Sequence, residues 1–169
     1  MTSENRQAGM DNPYYDWSPL ISRSKLTWPN DSNIALCVIL TLERYQWEHL
    51  SESIKSPSQP GGAAETGRPF PDIIGFSLRE YGQRIGIYRV SAMLDKYGIP
   101  ATIAIDAAIA SEYPFLIRHL RSKGCEFIAH GMSSNQMITS QMTESFEREY
   151  IKRSIDAIAQ ATGTRPVGW

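Results

Sequence analysis

From Asn33 onward the apolar positions fall into a repeating rhythm. Asn33 to Leu42 (NIALCVILTL) is an apolar, β-branched run bounded by polar residues. Such a run predicts a strand buried on both faces, as in a parallel sheet. A long segment follows from Glu43 to Phe76, with SPSQPGGAAETGRPFP in its middle. A loop of that length inside a compact domain is usually functional or without fixed structure. Its glycines and prolines would suit a lid.

Ser77-Leu-Arg-Glu80 then has the form of a capping box. In that motif the serine oxygen and the glutamate carboxylate each satisfy an orphan backbone N–H. Phe76 and Tyr81 occupy the positions of a hydrophobic staple. The predicted helix runs to Tyr97, with Tyr81, Ile85, Tyr88, Ala92 and Met93 on its buried stripe. Gly98 suits the left-handed position after a helix, and Pro100 prevents continuation.

Ala101 to Asp106 (ATIAID) reads as a second strand. Ala107 to Lys123 is helical in pattern, with Pro114 starting a fresh segment at its first turn. Gly124 ends it. Cys125 to His130 (CEFIAH) is a third strand. Thr143 caps a further helix to about Thr162, with Phe146, Tyr150, Ile151, Ile155 and Ile158 on its apolar face. After Gly163, Arg165-Pro-Val-Gly-Trp169 opens a fourth strand.

The joins KYGIPATIAI, SKGCEFIAH and ATGTRPVGW share one grammar: a helix end, a glycine, then a strand. This predicts βα units, a parallel sheet and right-handed crossovers. On pattern alone, an open doubly wound sheet and a barrel both stand. No GxGxxG follows the first strand, which argues against a dinucleotide-binding fold.

Residues 1 to 32 have a different texture: polar, then rich in aromatics and proline. Tyr14, Tyr15, Trp17 and Trp28 follow no period, which suggests an extended arm packed on the domain formed by residues 33 to 169. Packing outweighs sugar stacking as a reason for these aromatics.

Composition narrows the picture. The 169 residues suit a single domain with a sizeable core. Lys plus Arg is 17 and Asp plus Glu is 18, a net charge of −1. That balance offers no nucleic-acid footprint and no affinity for acidic membranes. The opening MTSENRQAGM lacks a basic region followed by an apolar run, so no secretory signal is read there. The longest apolar run, Ile34 to Leu42, is less than half of the ~20 residues a transmembrane helix needs. Cys37 and Cys125 read as small buried hydrophobes rather than a disulfide pair. A cytoplasmic protein is the simplest expectation.

In parallel α/β folds the reactive residues collect at the C-terminal ends of the strands. Glu43-Arg44 follows the first strand, Asp106 ends the second and His130-Gly131 ends the third. Carboxylates next to an imidazole suit general acid–base work on a carbonyl. Polar residues at strand ends also often just cap loops. Of the three histidines, His49 in the polar loop and His119 on a helix read as solvated or structural. His130 follows a buried strand and precedes glycine, where a backbone can approach a ligand.

TLER at 41–44, IAHGMSS at 128–134 and TRPVGW at 164–169 resemble, in that order, the first three motifs of the polysaccharide deacetylase superfamily. This is the NodB-homology group, also called carbohydrate esterase family 4. Its motifs are a strand ending T-F-D-D, then H-[ST]-x-x-H, then an R-P-P-Y-G-like stretch. The resemblance covers nearly the whole chain from about Asn33. It implies an α/β fold: an incomplete (β/α) barrel of the NodB type, about three βα units plus the start of a fourth strand.

In the metal-dependent members of that family the first aspartate is the catalytic base. The second aspartate and two histidines hold a divalent metal. Here the base position is Glu43, the second is Arg44, the first histidine is His130 and the second falls on Ser134. A guanidinium cannot ligate a metal, and one histidine alone is a poor site. The resemblance therefore implies no metal and no other cofactor. H-G in place of H-[ST], and R-P-x-G-W in place of R-P-P-Y-G, resemble the metal-independent branch. That branch includes allantoinase-like enzymes, which hydrolyse a C–N bond of a cyclic ureide.

By resemblance the reaction is hydrolysis of an amide-type C–N bond in a small amide or ureide, or in an acetylated sugar. Glu43 and His130 would activate water. Arg44, Asp106, Arg165 and Trp169 would bind the substrate, the two arginines through their forked donors.

A closed barrel typically takes ~250 residues, and the family's later motifs, including a late histidine and an aspartate, have no counterpart in this sequence. The chain therefore reads as the N-terminal part of a longer hydrolase. Alternatives are a non-catalytic truncated domain, a metal-dependent deacetylase of N-acetylated sugars, and a homo-oligomer in which a second copy completes the sheet.

Overall fold

The computed structural model describes residues 18–45 and 73–169. Tyr14, Tyr15, Trp17, His49 and most of the long segment after Glu43 lie outside the described residues. The chain divides into two compact units, Met1–Leu36 and Cys37–Trp169. In the first, the described residues form two short 3-10 turns, Leu20–Ser22 and Pro29–Asp31. The Arg23 guanidinium closes back on Ser18, with Nε 2.9 Å from the Ser18 carbonyl oxygen.

The second unit carries three strands: β1 (Val38–Leu42), β2 (Ala101–Ile105) and β3 (Glu126–Ala129). They form one parallel sheet in the order β1-β2-β3. Leu42 stands opposite Ile105, and Ile105 opposite Ala129. The three strands therefore end level. The next residue of each, Glu43, Asp106 and His130, emerges at one edge of the sheet.

β2 is flanked on both sides, and Ile103 and Ile105 are fully buried. β1 starts five residues later than the apolar run suggests, and it buries one face only. Ile34 and Leu36 are 81% and 78% exposed, and Ile39 is 52% exposed. The late start follows from the partner. Val38 pairs with Ala101, and the residue before Ala101 is Pro100, which has no N–H to extend the ladder. Hydrophobicity set the length of the run, whereas pairing set the length of the strand.

The helix between β1 and β2 is α1 (Ile73–Tyr81), a π-helical turn (Gly82–Gly86) and α2 (Ile87–Tyr97), continuous in direction. Ser77 lies inside α1, so it is not an N-terminal cap and the capping box does not form. Among the described side chains the buried positions are Glu80, Gln83, Ile87 and Ser91. Tyr81, Ile85, Ala92 and Met93 are exposed, and Tyr88 is half-buried. Three of the four buried side chains are polar, so a search for an apolar stripe settles one residue away from the true face. Gly98 does close the helix in the left-handed region, with φ 63°.

The remaining helices follow local chemistry. α3 (Ala107–Glu112) and α4 (Pro114–Ser122) break at Tyr113, with Pro114 at the first helical position. α5 (Glu144–Thr162) is capped by Thr143, whose Oγ1 accepts a bond from the Phe146 N–H at 3.3 Å. It buries Tyr150, Ser154, Ile158 and Thr162, while Phe146 is exposed. The core gathers Ile103, Ile105 and Phe127 of the sheet with Ile109, Leu116, Ile117, Leu120 and Ile158 of the helices. Cys37 is exposed and Cys125 half-buried, so only the second resembles a core residue. Arg165–Trp169, expected to open a fourth strand, forms no strand among the described residues; it lies beside β3, where the Ala129 N–H donates to the Gly168 carbonyl at 2.9 Å. A Cβ at 168 would come within 2.9 Å of Ile128 Cγ2, so glycine is what lets the backbone lie there. Among the described residues no helix is long and apolar enough to cross a membrane.

One buried side chain ties the strand ends together. Asp106 is fully buried. Its Oδ1 accepts from the Ile109 N–H at 2.7 Å, capping α3, and its Oδ2 accepts from the Arg44 N–H at 2.6 Å, beyond β1. Burial pushes this carboxyl up to about 7, against the pull of the two backbone donors.

Two measurements test this description. In chemical denaturation of the full-length protein, Ile103→Ala should cost ~2–5 kcal/mol, because it empties a sealed site on the central strand. Ile39→Thr, on the open face of β1, should cost under ~0.5 kcal/mol. The second measurement is a pH series. The folded Asp106 carboxyl titrates above its ordinary value of 3.8, so the folded state holds the proton more tightly than the unfolded chain. That contribution is full below about pH 4 and is lost as pH rises through about 7. Between these limits wild-type stability should fall relative to Asp106→Asn, by as much as ~1.4 kcal/mol per pH unit. Parallel profiles would show that the buried carboxyl stays ionised.

Candidate active site

Glu43 and His130 meet although they are 87 residues apart in sequence. His130 Nε2 lies 3.2 Å from Glu43 Oε1, and Ser134 Oγ lies 3.3 Å from Glu43 Oε2. One carboxylate oxygen thus faces an imidazole and the other a hydroxyl. The Glu43 and His130 side chains are 38% and 45% exposed. Both line a cleft of about 280 Å³, with Tyr45, Ser133, Ser134, Gln136, Met137, Ile138, Tyr150 and Trp169 among its walls.

The backbone around each partner is braced. On the Glu43 side, Gln83 Nε2 donates to the Glu43 carbonyl at 2.5 Å. The Ser134 N–H donates to the Arg44 carbonyl at 3.0 Å. On the His130 side, its own N–H bonds the Ile105 carbonyl at 2.9 Å, continuing the β2–β3 ladder. The chain then turns away at Gly131, with φ 88°. A Cβ there would meet the Tyr150 hydroxyl at 2.7 Å, so both the conformation and the space require glycine. The Gly131 and Met132 carbonyls accept the free N–H groups of Ala107 and Ala108 at the start of α3. Ser154 of α5 donates to the Gly131 carbonyl at 2.7 Å. The Tyr150 hydroxyl accepts from the Met132 N–H at 2.9 Å and donates to the Gln136 carbonyl. Burial pushes that hydroxyl's pKa up, which keeps it a neutral donor. Trp169 packs edge-on against the same ring, with centroids 6.4 Å apart.

The other residues singled out in the sequence go elsewhere. Asp106 lies beneath the cleft and does not line it. Arg44 also does not line it. Successive residues of an extended segment point to opposite sides, so Glu43 faces the cleft and Arg44 faces the helices. The Arg44 Nη1 bonds the Tyr113 hydroxyl at 2.7 Å and lies 3.5 Å from Glu80 Oε1. Its Nε is 2.7 Å from Glu112 Oε2, off the N–H direction, so that contact is Coulombic rather than a formed hydrogen bond. The guanidinium also lies over the rings of Phe76 and Tyr113. Burial favours a protonated Glu80, but the Tyr113 hydroxyl, Arg84 and Arg44 outweigh it and hold the carboxyl below its usual range. Burial and the Glu80 contact push the Tyr113 hydroxyl up to about 12. Arg44, expected as a substrate fork, here engages protein carboxylates on the helix side of the chain, away from the cleft. Arg165 pairs with Asp156 at 3.2 Å outside the cleft. Trp169 alone of the four expected binding residues stands in its wall.

Sequence reading placed Tyr150 only on an apolar helix face and Glu80 only in a cap, and it passed over Gln83. None carries a local signal, because each matters through what it meets across the fold. Ser134 was visible as the residue standing at a motif position. Among the described residues no three His, Cys, Asp or Glu side chains converge as a metal-holding group.

The polysaccharide deacetylase family profile matches residues 82–169. A candidate polysaccharide deacetylase of Schizosaccharomyces pombe is 26% identical over 152 residues, covering 84% of this chain and 46% of its own length. Among solved structures, the PuuE allantoinase superposes with a TM-score of 0.72 at 28% identity, over 94% of this chain and 53% of its own. A candidate polysaccharide deacetylase from Pseudomonas aeruginosa gives 0.70 at 29% identity, over 84% of this chain and 48% of its own. The chain spans about half the length of these relatives, and its open parallel sheet is an incomplete portion of their (β/α) barrel. The ordered strand-end motifs, the parallel sheet that brings them level and the profile match together show that this chain belongs to the polysaccharide deacetylase family.

Proposed function

We propose that this chain supplies the general-base part of a hydrolase active site that cleaves amide-type C–N bonds. The observation that carries the reading is the Glu43 carboxylate, held between His130 and Ser134 and facing the cleft. Glu43 takes a proton from water as the water oxygen attacks the carbonyl carbon. The tetrahedral intermediate collapses with cleavage of the C–N bond, and the Glu43–His130 pair returns the proton to the leaving nitrogen. Water is consumed; a cyclic substrate opens to one product that carries both the new carboxyl and the freed N–H, whereas an acyclic amide separates into a carboxylic acid and an amine. Ser134 keeps the second carboxylate oxygen in place.

The substrate we favour is a small cyclic amide or ureide. The cleft, about 280 Å³, is small, which suits a compact ligand better than a polymer, Tyr45, Tyr150 and Trp169 give it aromatic walls, and the similarity to an allantoinase points the same way. An acetylated sugar is the second reading, favoured by the similarity to polysaccharide deacetylases. We read the centre as working without a divalent metal. Its convergent donors are one carboxylate, one imidazole and one hydroxyl, and the adjacent Arg44 is a cation. Metal sites with catalytic roles usually take three protein ligands.

Glu43→Gln and His130→Asn in the full-length protein should each lower kcat for allantoin hydrolysis by ~10²–10⁴, with melting temperatures close to wild type. Turnover unchanged in Glu43→Gln would remove it from the mechanism. Elemental analysis of the purified protein should find well under one divalent metal per chain, and chelator should leave turnover intact. A stoichiometric metal whose removal abolishes activity would instead support a metal-dependent deacetylase.

A further inference from the structure

Glu43 sits just past the end of β1, which is the edge strand of the described sheet. Its place in the cleft is therefore decided by bonds outside the ladder. The peptide unit joining Glu43 to Arg44 is gripped at both ends. Its N–H goes to Asp106 Oδ2 at 2.6 Å. Its carbonyl oxygen accepts from Gln83 Nε2 at 2.5 Å. Holding both ends of one planar peptide fixes ψ of Glu43, and with it the direction in which the Glu43 side chain leaves the backbone.

Gln83 is an expensive residue to keep there. It is 6% exposed, and among the described residues its Oε1 is buried without a hydrogen-bond partner. A half-satisfied buried amide costs stability that an apolar side chain of similar size would not. The helix is also irregular at this point. Gln83 belongs to the π-helical turn Gly82–Gly86, closed by the Ile87 N–H on the Gly82 carbonyl. Such single turns inside α-helices are frequent at functional sites. One turn earlier on the same buried face, Glu80 pairs with the Arg44 side chain. The helix thus grips residues 43 and 44 in sequence.

We infer that Gln83 is a positioning residue for the Glu43 carboxylate, retained for geometry rather than for stability. The inference rests on Glu43 being the base of the proposed reaction.

The test compares wild type, Gln83→Met, Glu43→Gln and the double variant in the full-length protein, with allantoin as the probe. Gln83→Met keeps the volume and removes the donor. The expected result is a melting temperature near or modestly below wild type, because the cost of the unpartnered Oε1 is removed while the Glu43 carbonyl loses its donor, with kcat lower by ~10- to 100-fold and KM within ~3-fold, since small misplacements of a reacting group have costs of that order. Adding Gln83→Met to Glu43→Gln should cost little more, because the group being positioned is already gone. A readout free of turnover is the ¹⁵N NMR signals of the His130 imidazole, which touches Glu43. They should move in Gln83→Met part of the way to their positions in Glu43→Gln. Unmoved signals together with wild-type kcat would overturn the inference. So would a strongly lowered melting temperature with losses that simply multiply those of Glu43→Gln, which would make Gln83 a structural cross-link. If wild type does not hydrolyse allantoin, or Glu43→Gln hydrolyses it normally, the proposed reaction fails. The His130 signals then still decide whether Gln83 sets the carboxylate's position.

Discussion

The fully buried Asp106 carboxylate is the joint on which the arrangement depends. It stands at the end of the central strand and reaches in two directions, to the first turn of α3 and to the chain leaving β1. Isolated carboxyls are costly to bury. This one is kept by two backbone donors that have no ladder partner of their own. It solves two problems at once: an orphan N–H at a helix start, and an edge strand whose exit would otherwise be free. The direction of Glu43 and Arg44 follows from it. Once the Arg44 N–H is fastened, alternation sends one side chain to the cleft and the next to the helices.

The His130 side is braced by a different device. The loop after β3 turns at Gly131, passes its carbonyls to the start of α3 and is held from the other side by Tyr150 and Ser154 of α5. The two halves of the candidate pair therefore come from separate loops, each tied to rigid elements. A catalytic pair gains most when its supports hold it before the substrate arrives. The Arg44, Glu80, Glu112 and Tyr113 group belongs to the same scaffold. Partly buried ion pairs of this kind contribute more to placing the chain than to net stability.

The family fold is shared by proteins whose names point to different substrates. Fold alone does not select among them. What distinguishes this chain is the chemistry at four positions: a carboxylate at 43, a cation at 44, an imidazole at 130 and a hydroxyl at 134. The structure sorts them physically. Three gather at the cleft, and the cation turns away to join the helices.

Much of this was legible in the sequence, for local reasons. The βα rhythm, the glycines that close α2 and α5, the proline that restarts α4 and the threonine that caps α5 all depend on residues a few positions apart. Glu43 and His130 were legible because parallel strands end level and carry their chemistry there. Other features were decided only by the tertiary structure. β1 is shorter than its apolar run because Pro100 ends its partner. The helix before β2 buries Glu80, Gln83 and Ser91, polar side chains that hydropathy reads as outward. Arg44 pairs with protein carboxylates because Glu80 and Glu112 come from helices that the sequence does not show to be adjacent. Tyr150 and Gln83 serve the site only through what they meet across the fold. Local propensity and periodicity determine which elements form; which side chain each polar group meets is decided when those elements pack.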